Sequence, residues 1–352
     1  MYRTLVINPG STSTEISIFE DEKEIRSARV VHPVDELRKF DKIMEQFPYR
    51  SEIIISKLSE WGINKGDLSA VVGRSGLLKR EGGTYEVNQK MIDDVKAGKV
   101  RVEHAAILGC LLAKEIADEH RVPAFVAHAF PSELEPIAKV SGIPEIERSP
   151  AYHVQNIEAV ARLAVKDMNK EIGSVNLVVA HLEGGMSIAA LEGGRVVDAT
   201  NALDEGPFTM ERSGSLPTAS IVELCFSSRY TRAQVLKMIR GEGGMVAYLD
   251  TNKISKVEDR IDKGDEKAKF YLEAMCYQIA KDIGAMATVL KGKVDAVILT
   301  GKILESKRAV DWIEERVQFI APVKTYPEQE ALVFAQAGLR VLKGQERPKK
   351  YE

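Results

Sequence analysis

The first candidate for chemistry lies near the N-terminus, in a bend that is rich in hydrogen-bond donors. Asn8, Gly10, Ser11 and Ser13 bring a side-chain amide, two hydroxyl groups and several backbone N–H groups to one tight turn. Such a concentration of donors suits phosphate oxygens, and a glycine permits close approach of the backbone. Bends of serine and glycine are also ordinary hairpin turns. The bend alone leaves a structural role and a phosphate-binding role open.

A second glycine bend, at Gly184 and Gly185, favours phosphate binding for both bends. Residues 4–19 have the pattern of strand, turn and strand, and residues 176–190 repeat it in the second half of the chain. Two such hairpins in duplicated domains are predicted to face each other across a cleft and to hold a polyphosphate. No GxxxxGK[ST] loop occurs, and no GxGxxG segment opens a helix after a predicted strand. A Walker-type kinase and a Rossmann dehydrogenase are therefore disfavoured.

The charge balance excludes strongly basic classes of protein. The 352 residues include 49 Lys and Arg against 52 Asp and Glu, a formal net charge of -3, so we expect no nucleic-acid or anionic-membrane partner. Cys110, Cys225 and Cys276 are far apart in the sequence and are expected to be buried, reduced packing residues. No leader segment and no apolar run long enough to cross a bilayer is visible. We therefore expect a cytoplasmic enzyme that acts on a small molecule.

The elements that position the two bends also occur twice. Strands alternate with helices, as in α/β units, and a repeat of half the chain length indicates two duplicated domains. A segment rich in Pro and Gly near residue 150 suggests domains at 1–150 and 151–352, and a last helix at about 328–343 is predicted to cross back to the first domain. Matching strands are predicted at 27–32 and 194–199 and at 68–76 and 294–302, with helices at 105–119, 154–168 and 266–290. The segments 123–134 and 317–332 are each predicted to be a strand that passes through a proline into a helix.

Several longer segments resemble the butyrate kinases of the acetokinase family. The resemblance lies in INPGSTSTEISIF at 7–19, VVAHLEGGMSIAA at 178–190, NALDEGPF and ERSG between 201 and 214, and GLRVLKG at 338–344, and it extends in order over nearly the whole chain. Acetokinases are similar to actin, hexokinase and the heat-shock chaperone ATPases. The resemblance implies an α/β fold of two duplicated actin/hexokinase-like ATPase domains, each a mixed five-stranded sheet with flanking helices, with a cleft between them.

The activity that this resemblance implies is reversible transfer of the γ-phosphoryl group of ATP, with Mg²⁺, to butyrate or another short-chain or branched-chain acid. The products are an acyl phosphate and ADP. On this resemblance the bend from Asn8 to Ser13 surrounds the phosphoryl group, and Arg74 pairs with the substrate carboxylate. Glu330, or alternatively Glu328, holds Mg²⁺ through water as a hard oxygen ligand. A homodimer is also implied.

The second half of the chain supplies the remaining residues that the resemblance implies. Arg212 lies against the equatorial phosphoryl oxygens in the transition state, where a planar guanidinium offers paired donors. His153 and His181 donate to the phosphoryl group and the polyphosphate, and Gly301 closes the adenosine pocket. Taken singly, Arg74 could be a surface ion-pair former and His153 an ordinary half-buried histidine. Their common order with the other family residues favours the catalytic interpretation.

Three positions near the predicted site depart from the family pattern. Glu183 and Lys302 stand where the family has glycines, and His128, a further catalytic candidate, replaces an aspartate that orients the arginine. A like-charge contact of Glu183 with phosphate would cost on the order of 4 kcal/mol at about 4 Å. Lys302 could crowd the nucleotide, or contact phosphate and offset Glu183. A catalytically impaired paralogue that binds nucleotide, acid or a protein partner is therefore the alternative to a working kinase. A sugar or polyol kinase is a third hypothesis, from the fold alone.

Overall fold

Two mixed β-sheets, one in each of two compact units, organise the computed structural model. The structure describes residues 1–10, 13–37, 39–40, 42–74, 83–100, 105–128, 134–149 and 151–352, without the side chains of Val34 and His128. The first unit comprises Met1–Phe130 together with Glu330–Glu352, and the second comprises Pro131–Gln329.

The first sheet is built around the N-terminal hairpin. Its strands in the described residues are β1 (Arg3–Pro9), β2 (Ser13–Glu20), β3 (Lys23–Val31), β4 (Ala70–Arg74), β5 (Gly83–Glu86) and β6 (Ala124–His128). They lie in the order β3-β2-β1-β4-β6-β5. β1 pairs antiparallel with β2 and parallel with β4, and β4 pairs parallel with β6. The ends of β1 and β4, which carry Asn8 and Arg74, therefore lie at the same edge of the sheet.

The second sheet repeats this topology. Its strands, among the residues described, are β7 (Asn176–Leu182), β8 (Met186–Glu192), β9 (Arg195–Ala199), β10 (Ala296–Thr300) and β11 (Val323–Thr325). They lie in the order β11-β10-β7-β8-β9. β7 pairs antiparallel with β8 and parallel with β10, as β1 does with β2 and β4. The predicted duplication of a hairpin beside parallel strands is thus present in both units.

Helices separate the strands and cover the sheets. Those of the described chain are α1 (Val34–Leu37), α2 (Phe47–Glu60), α3 (Gln89–Lys96), α4 (Leu108–His120), α5 (Pro136–Lys139), α6 (Val154–Asp167), α7 (Thr218–Phe226), α8 (Arg232–Ile239), α9 (Gly244–Leu249), α10 (Ile254–Asp262), α11 (Glu266–Val289), α12 (Lys307–Val317) and α13 (Glu330–Leu342). Within the described residues no helix is both long and apolar enough to cross a membrane.

The two faces of the first sheet bury alternate residues of the same strands. Leu5 and Ile7 of β1 lie in one apolar cluster with residues of α2 and α4, whereas Val6 lies in another with Phe334 of α13. This alternation follows from the period of two along a strand. Gly338 of α13 permits close packing, because a Cβ there would lie 2.6 Å from Cγ2 of Val72. The last helix is thereby packed on the first sheet, and its first residue is Glu330.

The core of the second unit forms between its sheet and two long helices. Val178 and Ala180 of β7 lie in one cluster with Leu272 and Ile279 of α11 and with Ile313 of α12. α6 contacts β7 and β10 as well. The strands that carry the second glycine bend therefore have helices packed on them, which holds their ends in place.

Residues 134–149, which precede the predicted domain boundary near residue 150, belong to the second compact unit. The N–H of Glu135 donates to the carbonyl of Val197 at 3.0 Å. The guanidinium of Arg148 contacts Asp198 at 3.2 Å and Glu205 at 3.1 Å. These bonds place the segment with the second unit. The domains 1–150 and 151–352 stay a prediction about the duplicated halves.

Most predicted elements are present, with two differences of detail. The first sheet has a sixth described strand, β5, which pairs antiparallel with β6, whereas five strands were expected. The segment 317–332 was expected to be a strand that leads through a proline into a helix; the helix α13 begins at Glu330, but the strand is short, because α12 extends to Val317 and β11 covers Val323–Thr325 alone. Ile313 and Val317 are both fully buried at a helical spacing of four, so the apolar pattern that suggested a strand continues a helix.

Candidate active site

The N-terminal bend is closed by a short backbone hydrogen bond. The N–H of Gly10 donates to the carbonyl of Ser13 at 2.8 Å, directly after the last paired residues of β1 and β2. The hydroxyl of Ser13 accepts a bond from Nε of Arg29 at 3.2 Å. Ser11, which was also predicted to contact phosphate, lies outside the described residues. The described part of the bend is therefore fixed by backbone pairing and by one guanidinium.

A buried guanidinium holds the other side of this bend. Nη1 of Arg50 donates to the carbonyl of Ser13 at 3.1 Å and to the hydroxyl of Thr14 at 2.9 Å. Nε2 of His32 lies 2.9 Å from the same hydroxyl. Burial lowers the pKa of Arg50 to about 10, and burial together with the charge of Arg50 lowers the pKa of His32 to about 4. His32 is therefore neutral at physiological pH, and of the two groups that contact the hydroxyl of Thr14, Arg50 carries the positive charge.

Sequence reasoning missed Arg50 and His32. Neither belongs to a recognisable motif, and they lie 37 and 18 residues along the chain from the atoms of the bend that they contact. Their role depends on the packing of α2 against the first sheet, which residue types and spacing do not reveal.

The ends of β1 and β4 and the start of α13 bring Asn8, Arg74 and Glu330 together. Nδ2 of Asn8 donates to Oε2 of Glu330 at 2.9 Å, and Nη1 of Arg74 donates to Oδ1 of Asn8 at 3.2 Å. The same Nη1 lies 3.4 Å from Oε2 of Glu330. The side chain of Glu330 is 9% exposed and that of Arg74 is 27% exposed. An arginine oriented in this way, with further N–H donors in its fork, is suited to a carboxylate ligand.

Two glycines fix the backbone that carries Arg74. A Cβ at Gly73 would lie 2.6 Å from the carbonyl carbon of Gly109, and a Cβ at Gly109 would lie 3.0 Å from the carbonyl carbon of Arg74. The first turn of α4 therefore packs with its backbone directly against the end of β4. His128 ends β6 opposite Gly83, and its side chain lies outside the described atoms, so its catalytic role stays a prediction.

In the second unit, the amide of Asn156 determines how His181 presents its ring. Oδ1 of Asn156 accepts the N–H of Gln329 at 2.8 Å, so Nδ2 is the donor that lies 2.7 Å from Nδ1 of His181. Nδ1 is then an acceptor, and the proton of the neutral ring is on Nε2. His181 is fully buried. The fold thus supplies an imidazole that acts as an N–H donor, as the proposed contact with phosphate requires.

A second imidazole lies beside the first. The ring centroids of His153 and His181 are 4.1 Å apart, and Nδ1 of His153 is 2.8 Å from the hydroxyl of Ser187 on β8. His153 immediately precedes α6, and Asn156 lies one turn later on the same helix. Asn156 could have been found from the sequence, because it follows His153 by three residues and a helical spacing of three places both on one face.

Arg212 lies against the second glycine bend. A Cβ on Gly185 would lie 2.7 Å from Cζ and 2.9 Å from Nη2 of Arg212, and closer still to Nη1. The guanidinium therefore occupies the space that any other residue would fill at this position. Nη1 also donates to the carbonyl of Ala202. Burial lowers the pKa of Arg212 from its ordinary value, with a smaller rise from Glu211.

Thr209 attaches the arginine loop to the bend, a contact that sequence reasoning also missed. Its hydroxyl donates to the carbonyl of Gly184 at 2.6 Å and accepts the N–H of Arg212 at 3.0 Å. A single side chain thus connects both predicted motifs of the second unit, the glycine bend and the arginine. Arg212 is positioned by backbone contacts on one side and by Gly185 on the other.

Glu183 and Lys302, the two departures from the family pattern in this unit, contact each other. Nζ of Lys302 pairs with Oε1 of Glu183, and Oε2 of Glu183 lies 3.7 Å from Nε2 of His181. Gly301 makes this possible: its φ of +93° lies in the left-handed region, and a Cβ there would lie 2.7 Å from the carbonyl oxygen of Leu182. The loop after β10 is therefore pressed onto the end of β7. The expectation of an uncompensated carboxylate at the bend is not met, because an ammonium group neutralises it.

A cluster of possible metal ligands also lies in this unit. One ligand atom from each of His181, Glu183 and Glu328 falls within 4.8 Å of the others. The predicted metal ligand, Glu330, belongs instead to the first unit, where it accepts bonds from Asn8 and Arg74. Carboxylate oxygens are the protein ligands that Mg²⁺ prefers, so Glu330 and Glu328 both have suitable chemistry.

The chain is similar over its whole length to proteins that are named as kinases. The model of the acetokinase family matches residues 146–338. Butyrate kinase 1 of Clostridium acetobutylicum is 46% identical over the whole of both chains, and Butyrate kinase 2 of the same organism is 47% identical over 100% of this chain and 99% of its own. The crystal structure of Porphyromonas gingivalis acetate kinase has a TM-score of 0.77 at 17% identity, covering 97% of this chain and 100% of its own.

The structural likeness shows the fold, which is that of acetate kinase. The sequence identity shows the family as well, because the match to Butyrate kinase 1 covers the full length of both proteins. The chain belongs to the acetokinase family.

Proposed function

We propose that this protein catalyses reversible transfer of the γ-phosphoryl group of ATP to a short-chain carboxylic acid, with butyrate or a branched acid as substrate. The observation that carries the proposal is the full-length identity of 46% to Butyrate kinase 1. The joining of Asn8, Arg74 and Glu330 in one unit supports it, and so does the contact between Gly185 and Arg212 in the other.

In the forward direction a carboxylate oxygen of the acid attacks the γ-phosphorus of ATP. A new O–P bond forms while the bond from phosphorus to the β,γ-bridging oxygen breaks, and ADP leaves with that electron pair. Such transfer needs positioning and charge stabilisation more than covalent help from the protein. Arg74 is the proposed partner of the carboxylate, because Asn8 and Glu330 hold its guanidinium in one orientation.

The second unit is proposed to stabilise the charge of the transferring group. Arg212 is fixed on Gly185 and offers a planar fork to the equatorial oxygens. His181 offers its Nε2–H to the polyphosphate, and His153 lies beside it as a second imidazole. Gly184 and Gly301 belong to the proposed nucleotide site through their backbones. Because these groups are fixed by the fold, little reorganisation is needed during transfer.

Mg²⁺ is the proposed second cofactor beside ATP and ADP. It would be held through water by Glu330, or by Glu328, since both offer carboxylate oxygens. When bound with the nucleotide, the ion supplies charge neutralisation of the phosphates. Glu330 has a second task in the first unit, where its carboxylate orients Asn8 and Arg74.

The partner proposed for the protein itself is a second copy of the chain. No residue of α7 is buried, although the segment 216–226 carries one charged residue, Glu223. Cys225 lies on this helix and is exposed, so the expectation that it is a buried packing residue is wrong. Leu216, Val222 and Phe226 are 43%, 48% and 85% exposed. A short apolar helix of this kind suits an interface in which each copy presents the same patch. Light scattering should give twice the mass of one chain, and Phe226→Glu should give the mass of one chain; a wild-type protein that is monomeric would contradict the dimer.

The function is tested by trapping the acyl phosphate. Purified protein, ATP, Mg²⁺ and hydroxylamine are incubated with straight and branched acids of two to six carbons, and the acyl hydroxamate is measured. We expect hydroxamate to form, with the best acids among those of four or five carbons. One methylene is worth about 1 to 3 kcal/mol, so neighbouring acids should compete. Hydroxamate no higher than in a reaction without enzyme, for every acid, would overturn the proposal.

A further inference from the structure

Lys302 and Glu183 form a charge pair at the ends of two parallel strands. Glu183 directly follows β7, and Lys302 follows β10 after a single glycine. β7 and β10 pair parallel, so their carboxyl ends lie at the same edge of the sheet, which is where α/β sheets bind ligands. Nζ of Lys302 contacts Oε1 of Glu183, and the side chains are 31% and 23% exposed. The pair is thus partly accessible from solvent and lies at a ligand-binding edge.

The groups around this pair are donors suited to an anion, apart from the carboxylates. Nε2 of His181 lies 3.7 Å from Oε2 of Glu183, and the guanidinium of Arg212 covers Gly185 two residues farther along the bend. Glu183 therefore places a negative charge among groups that would otherwise attract phosphate. Lys302 neutralises that charge through its direct contact with the carboxylate.

We propose that Lys302 neutralises the charge of Glu183 and thereby makes the second glycine bend compatible with the polyphosphate of the nucleotide. This inference rests on the proposed function. It predicts that the effect of replacing Lys302 on nucleotide binding depends strongly on whether Glu183 is present. Without Lys302, Glu183 repels the phosphates; without both, the bend is close to neutral and binds nucleotide again.

The test is a double-mutant cycle in nucleotide binding and kinetics. We compare the wild type with Lys302→Met, Glu183→Gln and the double variant, measuring the Kd of Mg-ADP by calorimetry, the KM of Mg-ATP and the KM of butyrate. Lys302→Met should weaken Mg-ADP binding and raise the KM of Mg-ATP roughly 30- to 100-fold. The double variant should return to within about fivefold of the wild type, and Glu183→Gln alone should bind as tightly as the wild type or more tightly. The KM of butyrate should change less than about threefold in all of them.

A matched pair at the opposite ends of the same strands provides the control. Lys170 pairs with Asp295 at 2.6 Å, close to the starts of β7 and β10. Lys170→Met removes a lysine from a similar pair in the same unit, and it should leave the Kd of Mg-ADP unchanged. A lysine that matters for stability alone would make these two variants behave alike.

Two results would overturn the inference. One is a double variant that binds Mg-ADP as weakly as Lys302→Met, and the other is a Lys302→Met variant that binds as tightly as the wild type. Failure of the proposed function gives a different result, namely a wild type that forms no acyl hydroxamate. Calorimetry does not depend on turnover, so the binding cycle decides the inference in that case as well.

Discussion

The contact between Gly185 and Arg212 predicts that one added methyl group will disable phosphoryl transfer. In Gly185→Ala the new Cβ would lie 2.7 Å from Cζ and 2.9 Å from Nη2 of Arg212. Non-bonded carbon atoms normally stay at least about 3.5 Å apart, so the guanidinium of Arg212 must move away from the new methyl group by about 1 Å. Gly185 is not at a left-handed φ, so the substitution adds no backbone strain of its own.

The expected magnitude follows from this displacement. A misplacement of about 1 Å in a catalytic arrangement can cost about 10²-fold in rate, which corresponds to about 2.7 kcal/mol of transition-state stabilisation. Because Arg212 is proposed to act on the phosphoryl oxygens of the transition state, kcat should fall. The KM of butyrate should stay within about threefold of the wild type.

The neighbouring glycine provides the matched comparison. In Gly184→Ala the new Cβ would lie 3.3 Å from Oε1 of Glu211, the flexible end of a side chain, and the expected loss of kcat is less than about tenfold. Gly284→Ala in α11 adds a methyl group with nothing within 4 Å and should leave kcat unchanged. Initial rates are measured by hydroxamate formation, and thermal unfolding verifies that each variant is folded. A Gly185→Ala enzyme with more than half of the wild-type kcat, or equal losses at Gly184 and Gly185, would refute the role of this contact.

Two further predictions concern the first unit. Arg74→Gln should raise the KM of butyrate roughly 30- to 100-fold, since a hydrogen-bonded pair of charges contributes about 2 to 3 kcal/mol. The same change at Arg162, which is exposed on α6, should leave the KM of butyrate unchanged. An unchanged KM in Arg74→Gln would contradict the role of this residue. His32 has a pKa of about 4 in the folded protein, below its ordinary value of 6.5. The unfolded chain therefore binds a proton first as the pH falls, and stability should drop by up to about 3 kcal/mol between pH 6.5 and pH 4. Urea unfolding should show a smaller drop in His32→Asn, and equal pH slopes in both proteins would contradict the assignment.

The elements that hold the site were predictable because their signals are local. β1 and β7 are mostly apolar runs, each followed by a glycine bend and a second strand, and β2 alternates apolar and polar residues; these patterns depend on a few neighbouring residues. The last helix, α13, lies within the span 328–343 that was predicted to be helical, and it packs on the first sheet. β11 begins later than the strand that was expected from residue 317, because α12, which precedes it, has an apolar spacing that resembles a buried strand.

The contacts within the site were less predictable because they join distant parts of the chain. Glu183 and Lys302 are separated by 119 residues, and each taken singly suggested damage to a phosphate site. Their pairing is visible in the folded unit alone. Thr209 likewise connects Gly184 to Arg212 without belonging to any motif. Residue types can therefore indicate the chemistry, while the fold decides which charges compensate each other.

The most direct test of the central claim follows an oxygen atom from substrate to product. Butyrate labelled with ¹⁸O in both carboxylate positions is incubated with the protein, ATP, Mg²⁺ and hydroxylamine, and the released phosphate is examined by ³¹P NMR. Hydroxylamine attacks the acyl carbon, so the former bridging oxygen leaves with the phosphate. If a carboxylate oxygen attacks the γ-phosphorus, each released phosphate carries one ¹⁸O. Phosphate released without the label would show that water had attacked ATP, and it would contradict carboxylate phosphorylation by this protein.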